Sequence, residues 1–445
     1  MELIRGISGI RGIAGETFTA ETVLRHVQAF AKIQDNGKLL LARDSRQHGA
    51  EFIQTGEMGL SALNREVLNY NIIPTPTAQF LVEKNNLAGG IVITASHNPT
   101  EWNGMKFIDK DGCFLNAEKN RKLFNLADED ELSIIEQSTS NSIPNGHQSH
   151  IDHTLKLSCI NADYIQQRQF TVVVDAVNGA ASYALPEMLE ALGCRVHRLH
   201  CIPDGTFPRG AEPLPHNLEL LGKAVQEQNA DVGFATDPDG DRLAVVDENG
   251  FPLGEEYTLT ICADGFLRMT NSSASIVTNL STTLALDRVA ERYENQVLRS
   301  AVGEINVVNM MKEYGSKLGG EGNGGVILSE SHYGRDSLVG AALFLQRMAL
   351  ENKSLSSIFK SMPQFEMVKE KVELKAINAD EALSKIETHF NGTPKDNTDG
   401  LKLNFENSWV HIRKSNTEPI IRIYAEAESS KLASELTEKV KHIIS

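Results

Sequence analysis

FTVVVDAVNGAASYALPEMLEALGCRVHRLH, residues 170–200, is the stretch whose reading decides the fold. "FTVVVD" is a β-branched apolar run, as a strand buried on both faces requires. Asn178-Gly179 is a turn signal, and "AASYALPEMLEALG" carries its apolar residues at helical spacing. Gly193 stands where that helix should end, and "CRVHRLH" opens a second strand. Strand, helix, strand implies a parallel sheet covered by helices.

Working outward, the same scheme recurs on both sides. Upstream come the strand "KLLLARDSR" (38–46), the helical "GAEFIQTGEMGLSALN", the run "VLNYNIIPTPTAQFLVEK" and the strand "GGIVITAS". Between about 127 and 160 the composition turns polar, as a helix and linker would. Downstream, "ADVGFATDPDGDRLAVVDENG" (230–250) reads as strand, loop, strand. A third unit starts near 254 and runs through "ASIVTNLSTTLALDRVAERY" and "KLGGEGNGGVILSE" to about 365. The last stretch differs: the strand "PIIRIYAEAE" and the amphipathic "SSKLASELTEKVKHIIS" form a small unit. The expected fold class is α/β: three similar α/β domains with mixed sheets (1–150, 151–252, 253–365) plus a smaller C-terminal α+β domain (366–445).

At 445 residues the chain is too long for one core. No apolar run approaches the roughly 18 residues of a membrane span, and "MELIRGISGIRG" lacks the basic and apolar regions of a signal peptide. Five scattered cysteines with no CxxC suit a cytoplasmic protein better than a disulfide framework or a zinc site. The net charge of −16 argues against general nucleic-acid binding but leaves room for an anionic small substrate, because a cleft can be locally basic.

The chemistry sits in loops. In DPDGDR (237–242), Asp237, Asp239 and Asp241 alternate around Pro238 and Gly240, which force a tight turn. Converging carboxylates need a cation, and all-oxygen donors select a hard one, Mg²⁺. An EF-hand is excluded, because Arg242 stands where glycine is required and a strand follows. Three aspartates leave Mg²⁺ short of ligands. Ser96 of TASHNP (94–99), if it carried a phosphoryl group, would supply the missing oxygen. No GxSxG surrounds Ser96, and the neighbouring His97 is expected to point elsewhere or to touch phosphate or Ser96. Lys106 follows within ten residues and could neutralise phosphate, or act as acid or base if nearby cations lower its pKa. GGEGNGG (319–325) is neither GxGxxG nor a P-loop; it presents Glu321 and Asn323 on bare backbone, a pair suited to vicinal hydroxyls. RKSNTEPIIR (413–422) offers Arg413, Ser415, Asn416, Thr417 and Arg422 to a phosphate monoester. "SGIRG" adds Arg11 in a glycine-bracketed turn.

These loops, in this order, resemble those of the α-D-phosphohexomutase family over essentially the whole chain. TASHNP is similar to the phosphoserine loop, DPDGDR to the metal loop, GGEGNGG to the sugar loop and RKSNTEP to the phosphate loop; "SGIRG", "ARDSR", "PTPTAQF" and "DAVNGAA" match further family stretches. The resemblance implies four domains around a central cleft. It implies a phosphoserine at Ser96, and Mg²⁺ on Ser96, Asp237, Asp239 and Asp241. Lys106 and Arg242 would assist proton transfer, and Glu321 and Asn323 would read the sugar. The implied reaction exchanges hexose 6-phosphate and 1-phosphate through a sugar 1,6-bisphosphate. Many members carry Glu-x-Ser-Gly-His where this chain has Glu321-Gly-Asn-Gly-Gly325, which bears on the choice of sugar. "AVGEINVVNMM" and the length resemble the phosphoglucosamine-mutase branch, with a phosphomannomutase/phosphoglucomutase as the alternative and a sugar-phosphate phosphatase behind it.

Overall fold

The computed structural model describes residues 2–129, 131–133, 135, 140–373, 378–414 and 420–444, and among them the strands build four separate sheets. The first contains β1 (Ile4–Gly6), β2 (Gly9–Ile13), β3 (Leu39–Arg43), β4 (Val67–Ile72), β5 (Gly89–Ile93), β6 (Trp102–Asp109) and β7 (Ser140–Ser142), in the order β1-β2-β6-β5-β3-β4-β7. The second contains β8 (Thr171–Asp175), β9 (Arg195–Leu199), β10 (Val232–Thr236) and β11 (Leu243–Asp247), ordered β11-β10-β8-β9. The third contains β12 (Ile276–Asn279), β13 (Val297–Ser300), β14 (Leu318–Glu321) and β15 (Gly325–Leu328), ordered β15-β14-β12-β13.

One pattern repeats in all three. Two parallel strands, the first joined to the second through a helix, lie beside a third parallel strand, which turns back into an antiparallel fourth. The likeness expected between the units is therefore an identical strand order, β6-β5-β3-β4 matching β11-β10-β8-β9 and β15-β14-β12-β13. In each unit the turn into the antiparallel strand lies at the carboxyl end of a central strand, where open α/β sheets bind ligands. Residues 94–101, 237–242 and 322–324 are those three turns.

The stretch 170–200 folds as its pattern dictates. β8 is buried throughout, Asn178 adopts a left-handed turn, the helix Ala184–Ala191 follows, and Gly193 ends it at φ +82° before β9. The polar region after 127 holds the end of the helix Ala117–Glu129, the short edge strand β7 and the helix Gln148–Thr154. The fourth sheet is antiparallel: β16 (Glu366–Glu373), β17 (Lys395–Asp396), β18 (Leu401–Asn404), β19 (Trp409–Lys414) and β20 (Ile420–Ala427), ordered β16-β20-β19-β18-β17 and backed by the helix Ser430–Ile444.

The second and third units share one core. Apolar side chains run continuously from β8 and β10 through the helices Glu256–Thr270 and Ser337–Ala349 to β14 and β15. Phe234 of β10 meets Phe344 edge-on, with ring centroids 5.9 Å apart. Between the two helices Arg347 and Asp264 form a buried ion pair. The first and fourth units have cores of their own. The fourth docks on the third through polar contacts: His411 Nδ1 with Ser281 Oγ at 2.8 Å, and Asp399 Oδ2 accepting from the Val302 N–H at 3.0 Å. No helix among the described residues is long and apolar enough to cross a membrane.

Because Phe344 is fully buried in the shared core against Phe234, Phe344→Ala should lower stability by about 3–5 kcal/mol in a urea titration followed by circular dichroism. A loss under about 1 kcal/mol would mean that the shared core is loosely packed.

Candidate active site

Ser96 takes φ +50°, a left-handed conformation that a serine keeps only when its surroundings enforce it. Arg46 enforces it. Its fully buried guanidinium donates to the carbonyls of Ser96 (2.7 Å), Asn98 (2.7 Å), Pro99 (2.5 Å) and Trp102 (3.1 Å), and pairs with Asp44 at 3.0 Å. Thr94 Oγ1 donates to Asp44 and accepts from the Ser96 N–H. The result aims Ser96 Oγ at the second unit, where it donates to Asp237 Oδ2 at 3.0 Å. Serine and aspartate loop, 141 residues apart, thus meet directly.

The aspartate loop is gripped from both neighbours. Thr75, at the start of the helix Thr75–Lys84, donates its hydroxyl to Asp239 Oδ2 and its N–H to the Asp239 carbonyl. Ser337 of the third unit donates to the Gly240 carbonyl. Asp237, Asp239 and Asp241 are all buried, and one oxygen from each lies within 4.8 Å of the others. Burial, together with Asp241 and Asp239, pushes the Asp237 carboxyl well above the usual range. Burial pushes the other two the same way, but nearby cations prevail: Lys106 holds Asp239 low, and Arg335 with Lys106 holds Asp241 low. Lys106 Nζ donates to Asp239 Oδ2 (2.6 Å) and Asp241 Oδ2 (2.9 Å). Asp239 Oδ1 and Asp241 Oδ1 remain buried without a hydrogen-bond partner. Orphaned carboxylate oxygens beside a strained negative cluster fit a hard divalent cation, so the donor set expected from DPDGDR can hold one.

One expectation changes here. Lys106 was read as a lysine whose pKa neighbouring cations could lower. Burial does lower it, but Asp239 and Asp241 outweigh burial and leave it above its ordinary value, a fixed cation. His97 does not point elsewhere; of the contacts expected for it, the one with Ser96 forms: its Nδ1 stands 3.3 Å from Ser96 Oγ and accepts from Arg242 Nη2 at 3.1 Å. An arginine only donates, so the His97 proton resides on Nε2. Arg242, then burial, then Arg11 hold the imidazole well below its usual pKa. Arg242 also pairs with Glu212 at 2.8 Å, and Arg11 donates to Asn98 Oδ1 at 2.9 Å. Arg11, His97, Asn98, Glu212 and Asn323 are the half-buried rim around this otherwise buried set.

The glycine loop packs on the aspartate loop. Leu243 N–H donates to the Gly324 carbonyl, and a side chain at Gly324 would strike the Leu243 backbone. At Gly325 a Cβ would lie 2.2 Å from Arg335 Cδ, so the glycine makes room for that arginine. Arg335 joins the loops: Nη2 donates to Asp241 (2.7 Å), Nη1 to Glu321 (2.8 Å) and Nε to Glu304 (2.9 Å). Glu321 Oε1 accepts from Asn279 and from the Gly303 N–H, and Oε2 lies 3.4 Å from Asn323 Nδ2. Burial raises the Glu321 carboxyl, but Arg335 and Asn279 more than offset it.

Ser96, His97, Lys106, Arg11, Asp237, Asp239, Asp241, Arg242, Glu321 and Asn323 therefore belong to one connected network. Arg413 and Arg422 face each other across β19–β20 in the fourth sheet, and Ser415, Asn416 and Thr417 lie outside the described residues. Sequence reading assigned no role to Arg46, Thr75, Glu304 or Arg335. Arg335 sits in "SHYGRDS", and its partners lie 94, 31 and 14 residues away, so nothing local marks it.

A serine held against an acidic cluster, beside a glycine loop on a repeated α/β frame, is the arrangement the sequence resemblance implied. Comparison with known proteins agrees. Family models for phosphoglucomutase/phosphomannomutase match in order: alpha/beta/alpha domain I over residues 2–133, II over 148–250, III over 255–365 and the C-terminal domain over 367–443. The chain is 34% identical to a phosphoglucomutase/phosphomannomutase of Thermococcus kodakarensis, covering 97% of this chain and 96% of that one. It is 31% identical to a phosphoglucosamine/phosphogalactosamine mutase of Sulfurisphaera tokodaii, covering 99% and 98%. A crystal structure of a phosphoglucomutase/phosphomannomutase family protein from Burkholderia thailandensis superposes with a TM-score of 0.85 at 24% identity, over 98% of this chain and 95% of that one. The chain belongs to the phosphoglucomutase/phosphomannomutase family, and so to the phosphohexomutases, isomerases that interconvert sugar phosphates.

Arg46→Lys should cut isomerase turnover by about 10²-fold, the cost of roughly 1 Å of misplacement at a reacting group, because one ammonium cannot serve four carbonyls. Unchanged kcat in a coupled sugar-phosphate assay would show that the serine loop holds its own shape.

Proposed function

We propose that the protein is a phosphoglucosamine mutase that carries its phosphoryl group on Ser96. The observation behind this reading is the 3.0 Å approach of Ser96 Oγ to Asp237, flanked by Lys106, His97 and Arg242. Asp237, Asp239, Asp241 and the phosphorylated Ser96 would hold Mg²⁺, which when bound supplies charge neutralisation at the phosphoryl oxygens. In the forward half, the Ser96 Oγ–P bond breaks while a P–O bond forms to a sugar hydroxyl. The hydroxyl proton leaves as Ser96 Oγ gains one. The resulting 1,6-bisphosphate turns end for end and returns its other phosphoryl group to Ser96.

The side chains divide the work. His97 stays neutral beside Ser96 Oγ with its Nδ1 lone pair engaged by Arg242, so it orders the serine and the arginine, while the serine hydroxyl proton points along its bond to Asp237 and leaves on that side in the return step. Lys106 stays charged and donates toward the transferring group, an electrostatic role and not a basic one. Arg242 and Arg11 add positive charge at the rim. Glu321 and Asn323 read the sugar hydroxyls, and Arg413, Ser415, Asn416, Thr417 and Arg422 take the distal phosphate.

Two features favour an amino sugar. At the glycine loop the carboxylates Glu304 and Glu321 share the single guanidinium of Arg335, so the sugar end suits a hexose bearing a 2-ammonium group. The relative from Sulfurisphaera tokodaii is named for amino-sugar phosphates.

With glucosamine 6-phosphate, glucose 1-phosphate and mannose 1-phosphate offered separately, each with a trace of the matching bisphosphate, kcat/KM should be highest for the amino sugar. Ser96→Ala should reduce turnover to background while keeping the circular dichroism spectrum. Release of free phosphate instead of an isomer would make the protein a phosphatase, and isomerisation by Ser96→Ala would remove Ser96 from the chemistry.

A further inference from the structure

Away from the reacting centre, His150, His332 and Asp336 come together at a junction of three segments. His150 lies on the helix Gln148–Thr154, which follows the first sheet; His332 follows β15; Asp336 caps the helix Ser337–Ala349. All three are buried, with relative exposures of 0%, 1% and 1%. Sequence reading could not find them, because no short His/Cys spacing joins them.

The donors are already oriented. Asp336 Oδ1 is used by the cap, accepting from the Leu338 and Val339 N–H groups, which leaves Oδ2 facing the junction. His150 Nε2 lies 2.9 Å and His332 Nε2 3.1 Å from that one oxygen. His150 is fixed by stacking on Phe80, with centroids 4.8 Å apart, and by Thr77 Oγ1 at 3.0 Å from its Nδ1. A metal-bound histidine is oriented in this way, its second ring nitrogen held by an outer group.

The pairing is incomplete as a hydrogen-bond network. His150 Nε2, despite its closeness to the carboxylate oxygen, makes no hydrogen bond, and the buried His332 Nδ1 has no partner. With Thr77 accepting from Nδ1–H, a bare Nε2 lone pair faces a carboxylate. With Thr77 donating, an Nε2–H faces that carboxylate without bonding to it. One hydrogen bond, His332 Nε2 to Asp336 Oδ2 at 3.1 Å, is the only one among three potential ligand atoms that lie within 4.8 Å of one another, and a cation between them would replace it and engage the idle His150 Nε2. Zinc bonds of about 2.0–2.2 Å place tetrahedral neighbours roughly 3.4 Å apart, a few tenths of an ångström beyond the present contacts.

We propose that His150 Nε2, His332 Nε2 and Asp336 Oδ2 form a second metal site, distinct from the aspartate loop and selective for a zinc-class ion. Two imidazoles and one carboxylate favour a borderline metal over Mg²⁺, which prefers all-oxygen ligands and its own water. The ion would staple the helix Gln148–Thr154 to the segment His332–Asp336, with the helix Thr75–Lys84 held against it through the contacts of Thr77 and Phe80 with His150. Arg335, which bridges Asp241 and Glu321, is the adjacent residue, so the staple also steadies the sugar side of the site.

Chelator-stripped full-length protein, held in excess Mg²⁺ to occupy the aspartate loop, is titrated with Zn²⁺ by calorimetry and metal analysis. The expected result is about one zinc per chain and a raised Tm. Binding should disappear in His332→Gln and His150→Gln but persist in Asp239→Asn. Co²⁺ in place of zinc should give the visible absorption of a low-symmetry imidazole site in wild type and Asp239→Asn but not in either histidine variant. No zinc uptake by the wild type, or undiminished uptake by His332→Gln, overturns the proposal; neither result bears on the mutase assay.

Discussion

Buried negative charge at the aspartate loop is the constraint on which the rest of the structure depends. Asp237, Asp239 and Asp241 stand within a few ångströms of one another, out of water, and Arg242 of their own unit is only one of the cations around them. Lys106 from the first sheet and Arg335 from the third supply the offsetting charges, each through direct contacts below 3 Å. Removing one partner of such a buried pair costs about 3–5 kcal/mol, because the remaining charge is left unpaired. Charge balance therefore ties three units together at the point where the chemistry occurs. Orphaned oxygens on Asp239 and Asp241 leave the balance open on one side, which is where a divalent cation and a phosphoryl group fit.

The frame delivers these groups by repetition. Each of the first three sheets ends a central parallel strand in a turn and sends the chain back antiparallel, so each presents one loop at a carboxyl edge. Serine, aspartate and glycine loops are the same structural position used three times with different side chains. The contacts between them are mostly backbone or short polar groups, such as Leu243 N–H to Gly324, Ser337 to Gly240 and Thr75 to Asp239. A glycine at 325 belongs to this economy, since any side chain there would displace the Arg335 stem.

How much of this was legible in the sequence follows from where the signals lie. Alternating aspartates, a serine after a β-branched strand, and clustered glycines are local patterns, and they placed the three loops and most of the network. The α/β class was legible for the same reason, because strand and helix periodicities are local. Residues that act across the chain were not. Arg46 appears only as the end of "ARDSR", yet it shapes the serine loop through four carbonyls that no pattern reveals. Arg335 and Glu304 are ordinary charges until the units assemble. Proximity to Ser96 singled out Lys106, but the direction of its pKa depended on carboxylates more than 130 residues away. His97 was left between pointing elsewhere and touching phosphate or Ser96, and the contact with Ser96 Oγ accompanies a left-handed backbone at Ser96 that no local pattern announces.

The account stands on Ser96 as the temporary carrier of a phosphoryl group. Brief incubation of the protein with a hexose 1,6-bisphosphate labelled in its phosphate, followed by proteolysis and mass spectrometry, tests this most directly. The account predicts one labelled phosphoryl group per chain, on the peptide containing Ser96, discharged when unlabelled sugar monophosphate is added. Label on another residue, or isomerisation without any labelled peptide, would contradict it.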